Sequence, residues 1–150
     1  MKKYFVALAG ILAMASLVLA HATVKSDVGL SESKAGSYET YRLQVPTEKP
    51  LDTTEVKLFV PQGLTISTFQ ALAGFERSVE KNADGIITTV TWKGKIGQQE
   101  FQRFLFSAKN PAQATTLLFK VYQTYSDGSI VKWEDEDPKG KTPASRVEIK

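Results

Sequence analysis

Apolar side chains recur at every second position through most of this chain, and that period limits its folds more than any other feature. Period two puts successive side chains on opposite faces of an extended strand, whereas a helix needs a period near 3.6. The alternation predicts strands over residues 38–45, 55–60, 63–69, 75–81, 86–92, 100–108, 115–125, 130–133 and 145–150. Turn residues separate them, among them Pro61-Gln62-Gly63, Asn82-Ala83-Asp84-Gly85, Asn110-Pro111 and Ser126-Asp127-Gly128-Ser129. No segment carries a convincing helical period. Roughly eight short strands at near-regular spacing predict an all-β fold, an antiparallel sandwich or barrel. Glu134 to Asp137 is the strongest charge run. It lacks the spacing of a calcium loop and reads as a solvated surface turn.

Residues 1–20 stand outside that pattern. Lys2 and Lys3 precede an almost unbroken apolar run from Tyr4 to Leu19, and small residues follow. This is the composition of an export signal. The run is short for a membrane span, which takes about 20 apolar residues. No second run of that length occurs, and no cysteine follows the signal as a site for lipid attachment. The expectation is therefore a signal peptide over 1–20 and one domain over 21–150, periplasmic or secreted. Without Lys2 and Lys3 the chain carries 17 basic residues against 16 acidic ones, a net charge of +1. Such a surface does not attract polyanions, and nucleic acid is excluded as a partner.

Most familiar chemistry is ruled out by what the chain lacks. It has no cysteine, its two methionines are Met1 and Met14, and its one histidine is His21. A Ser-His-Asp set has no plausible setting, no phosphate-binding glycine loop occurs, and no pair of carboxylates is singled out. Copper(I) favours thiolate and thioether donors, and zinc sites take several His or Cys ligands. Neither set exists after residue 20.

One histidine makes a strong site only as the first residue. Its α-amine and ring Nδ1 then chelate a single ion, and with oxygen donors the set suits tetragonal copper(II). Cleavage after Ala20 leaves His21 at the terminus; cleavage after Ala22 discards it. Both bonds satisfy the small-residue rule. The bland alternative is a polar residue at a frayed end.

Several segments, in order, resemble the YcnI-like family of secreted copper-binding domains. They are His21-Ala22-Thr23-Val24, Val45-Pro46-Thr47-Glu48-Lys49, Phe59-Val60-Pro61-Gln62-Gly63, Val90-Thr91-Trp92-Lys93-Gly94, Gln99-Glu100-Phe101, and the stretch from Gln123 to Trp133. The resemblance implies an immunoglobulin-like β-sandwich and cleavage after Ala20. It implies a mononuclear copper(II) site with His21 giving two nitrogens, Glu48 a carboxylate oxygen, and Trp133 packed beside the metal. Trp92 is assigned to the core. The implied role is copper acquisition, buffering or delivery outside the cytoplasm, not catalysis. The implied partner is a membrane copper transporter or another copper-handling protein. Many members continue into a C-terminal membrane anchor, whereas this chain ends at Lys150, so a freely diffusing form is expected. A copper-dependent oxidative enzyme and a metal-free interaction module stay open as alternatives.

Overall fold

The computed structural model describes residues 21–150, and the expected signal segment lies outside the described residues. Eleven strands form: β1 (Thr23–Ser26), β2 (Glu32–Ser33), β3 (Tyr38–Pro46), β4 (Thr53–Phe59), β5 (Thr65–Phe69), β6 (Glu76–Lys81), β7 (Ile87–Ile96), β8 (Phe101–Lys109), β9 (Thr115–Tyr125), β10 (Ile130–Trp133) and β11 (Ser145–Ile149). Two sheets result. One runs β1-β3-β8-β5, and the other runs β2-β11-β9-β4-β7-β6, with β10 also paired to β9. The long neighbours pair antiparallel, and only the short β2 runs parallel, against β11.

The core fills the space between the sheets. β3 turns Tyr41, Leu43 and Val45 inward, and β8 adds Phe104 and Phe106. β9 answers with Leu117, Phe119 and Val121, and β4 with Val56 and Leu58. Aromatic rings join the two layers: Tyr41 lies 5.9 Å from Phe119, and Trp92 lies 4.6 Å from Phe104, centroid to centroid. Trp92 is thus a core residue, as its alternation indicated. Burial of alternate residues on both inner faces is what holds a sandwich together.

Two features of this frame set the surroundings of the N-terminal end. First, β1 runs antiparallel to β3 with Thr23 opposite Gln44, so the start of β1 lies beside the end of β3. Second, one edge of β9 is shared. Residues 115–119 pair with β11 and residues 121–124 with β10. The chain between β10 and β11, residues 134–144, must therefore leave the sheet and return to it.

That excursion contains the acidic run. Glu136 and Asp137 are exposed, as expected of a solvated turn. Asp135 is different: its Oδ2 accepts hydrogen bonds from Thr142 N at 2.9 Å and Thr142 Oγ1 at 3.1 Å. The carboxylate ties the loop's two limbs together.

Candidate metal centre

Antiparallel pairing and a buried clamp fix the N-terminal end of the described chain. Ala22 and Val24 are buried. Val24 N donates to Ser145 Oγ at 2.7 Å, and that hydroxyl donates back to Val24 O at 3.2 Å. This holds β1 against the start of β11 in the other sheet. The backbone one residue after His21 is therefore packed. The half-buried His21 ring lies 5.4 Å from the Trp133 ring, tilted by 46°. His21 leads into the first sheet and Trp133 ends β10 on the second, so their contact crosses the seam between sheets.

Trp133 is held from behind. Its Nε1 donates to Gln123 Oε1 at 3.1 Å. The Gln123 amide nitrogen donates to Pro46 O and Thr53 Oγ1, each at 2.8 Å. Thr53 Oγ1 in turn lies 2.7 Å from Thr47 Oγ1. Gln123, Thr47 and Thr53 are all buried, and a buried polar network of this kind is stable only when its members are paired. The network links the indole to the chain that carries Glu48.

That chain is fixed on its backbone as well. Thr47 N donates to Glu100 O at 2.8 Å, and Thr47 O accepts from Gln99 N at 3.2 Å. Gln99 adopts a φ of 62°, the only left-handed non-glycine among the described residues. Such a conformation is costly and persists only where neighbours enforce it. With Thr47 immobilised, Glu48 emerges into solvent-exposed space beside Trp133.

Glu48, Lys49, Tyr125, Val131 and Trp133 wall one cavity of about 220 Å³, completed by Lys141 and Thr142 from the excursion loop. Burial, reinforced by the negative charge of Glu48, holds the Tyr125 phenol above its ordinary ionisation range. The structure thus brings His21 to Trp133, and Glu48 to the cavity that Trp133 walls. Among the described residues no three His, Cys, Asp or Glu side chains gather as a metal site. A metal here has to draw on few side chains, which is the condition under which a terminal amine matters.

Sequence reasoning overlooked Gln123, Thr47, Tyr125 and the two lysines. Gln123 did leave a signal. It occupies the inward register of β9 between Val121 and Tyr125, where a polar side chain needs buried partners.

Fold and site together define a small immunoglobulin-like β-sandwich with a candidate one-histidine metal centre on the seam between its sheets. The chain belongs to the family described as "Domain of unknown function (DUF1775)", which matches residues 21–149 and bears out the YcnI-like resemblance. It is 42% identical over 134 residues to the copper-binding protein CutI of Bacillus subtilis (strain 168). That alignment covers 87% of this chain and 62% of the relative, so the chain spans less than two thirds of that protein's length. An uncharacterized Nocardia farcinica protein with an immunoglobulin-like fold superposes with a TM-score of 0.73 at 24% identity, covering 86% of this chain and 97% of the other. A type II cohesin domain from the Acetivibrio cellulolyticus cellulosome follows at 0.56 and 8% identity, covering 86% and 94%. These two likenesses bear on the fold alone, and they bear out the sandwich. Neither the family description nor the relative's name states an enzymatic activity.

Proposed function

We propose that this protein binds one copper(II) ion outside the cytoplasm and acquires, buffers or delivers it. Residues 1–20 are a signal peptide removed after Ala20, and the domain is 21–150. The new terminus supplies the His21 α-amine and ring Nδ1, Glu48 supplies a carboxylate oxygen, and Trp133 shields one face. The observation that carries this reading is that His21 and Glu48 emerge at the same end of the β1–β3 pairing, His21 against the Trp133 ring and Glu48 in the cavity that Trp133 walls.

The donor set agrees with the ion. Two nitrogens and a carboxylate suit copper(II), and residues 21–150 contain no thiolate or thioether for copper(I). The name of the Bacillus relative supports the same metal. An oxidative enzyme is the weaker reading, because a second histidine that would strengthen oxygen activation does not exist in this chain. Copper is cargo in this reading, and its partner is a membrane copper transporter or another copper-handling protein.

The test is intact mass spectrometry of the exported protein followed by copper(II) titration. The expected result is a chain beginning at His21 that binds one copper(II) and loses it in His21→Ala. Glu48→Gln is expected to weaken binding by about tenfold to a hundredfold. A chain beginning at Thr23 would remove the only histidine and end this mechanism.

A further inference from the structure

The cavity beside Glu48 is larger than one metal ion needs, and its charge is unusual. About 220 Å³ is the space of roughly seven waters at about 30 Å³ each. Its inner wall is apolar, built by Val131, Tyr125 and Trp133, while Lys49 and Lys141 flank it. Lys49 Nζ is held over the Tyr125 ring, 4.5 Å from its centroid. Elsewhere among the described residues five lysines lie within 4.0 Å of a carboxylate, but neither Lys49 nor Lys141 does. The larger hollow at Glu32 and Lys150 is neutralised by the pairing of those two side chains. The cavity at Glu48 therefore has two lysines on its lining, Lys49 also feeling the Asp127 carboxylate from outside the cavity.

Resting on the copper(II) reading of the site, we propose that this cavity binds a small free carboxylate, which enters the copper's coordination sphere together with the protein's donors. The chain offers two nitrogens and one carboxylate oxygen, and tetragonal copper(II) takes a fourth strong donor in its plane. With copper(II) bound, the ion and the two lysines together outweigh Glu48 and Asp127 in charge, which favours an anion over water in that position. Lys49 and Lys141 select the charge, and the apolar wall accepts a short aliphatic body. A carboxylate oxygen replaces a bound water, with no change in oxidation state. The protein thereby takes up copper(II) as a complex with a small organic acid rather than as the hydrated ion alone.

The test uses the mature chain beginning at His21, copper(II), and either isobutyrate or chloride at matched ionic strength. Affinity is corrected for copper binding by isobutyrate itself. Isobutyrate is expected to tighten copper(II) binding by about tenfold and to change the copper electron paramagnetic resonance spectrum. In the double variant Lys49→Gln/Lys141→Gln the gain is expected to shrink to about twofold or less. Copper binding indifferent to isobutyrate, or an equal gain in the double variant, would overturn this inference while leaving the copper site standing. A gain from an end-blocked peptide bearing one aspartate, with none from isobutyrate, would overturn it in favour of a protein carboxylate. No copper binding under any condition would overturn the site reading and this inference together.

Discussion

At the scale of single residues, the architecture turns on a buried amide. Gln123 uses its oxygen for the Trp133 indole and its nitrogen for Pro46 and Thr53. Gln123→Leu keeps the volume but leaves an indole N–H and a carbonyl without partners. The expected cost is about 2–3 kcal/mol in urea denaturation, with copper(II) affinity falling about tenfold as Glu48 and Trp133 lose their common anchor. Gln123→Glu keeps the acceptor for Trp133 and is expected to retain the tryptophan emission of the parent. Tyr41 sets an alkaline limit. Its hydroxyl donates to Asn110 Oδ1 at 2.6 Å, and burial, the largest cause, raises its ionisation above the ordinary 10.0. A raised folded-state value gives stability that is complete below pH 10.0 and lost as pH rises through the folded value. Stability is therefore expected to fall on the alkaline side, and Tyr41→Phe to remove that share while costing about 1–2 kcal/mol at neutral pH. Denaturation midpoints across pH measure both. Sequence displayed Glu48 and Trp133 only through a family likeness, because an exposed loop carboxylate and a strand aromatic look ordinary alone. Gln123 was legible from period alone, as a polar residue in an apolar register.

At the scale of elements, the alternation located the long strands to within a few residues, and 115–125 and 130–133 coincide with β9 and β10. It missed β1 and β2. β1 has four residues and β2 two, too short for a period to declare itself. Their pairing is imposed by neighbours in the sheets, which local sequence does not encode. β7 runs on to Ile96, past the expected end at Trp92, because Lys93 and Ile96 pair with Glu55 and Thr53 across a register shift. Gly94 sits in that extension. A Cβ there would lie 2.4 Å from Phe75 Cδ1 and 2.6 Å from the Gly74 carbonyl. Gly94→Ala is expected to destabilise the domain by about 1–3 kcal/mol, read as a lowered melting temperature, by pushing the β5–β6 connection off the sheet. Asp135→Ala removes the two carboxylate bonds to Thr142, leaving the backbone bond from Asp135 N to Thr142 O, and is expected to speed amide exchange over 141–144, while exchange in β3 and β8 stays as in the parent.

At the scale of the whole molecule, the proposed site belongs to neither sheet. β1 delivers His21, the end of β3 delivers Glu48, and β10 delivers Trp133 from the opposite layer. A stable sandwich is the precondition for that geometry, since Trp133 lies in β10 while His21 and Glu48 sit just beyond the ends of β1 and β3. Alternation forecast a sandwich or a barrel, because both bury one face of each strand, and the family likeness singled out the sandwich. Alternation did not forecast the seam, because the crossing of β1 and β10 depends on how the sheets close. The decisive property of the proposed site is chemical: it requires the α-amine of His21 to be free. Copper(II) titration of the mature chain against the same chain acetylated at His21 tests this most directly. One tightly bound copper(II) is expected in the first, and affinity lower by about a hundredfold or more, roughly 2.7 kcal/mol, in the second. Equal affinity in the two would contradict a site built on the terminal amine.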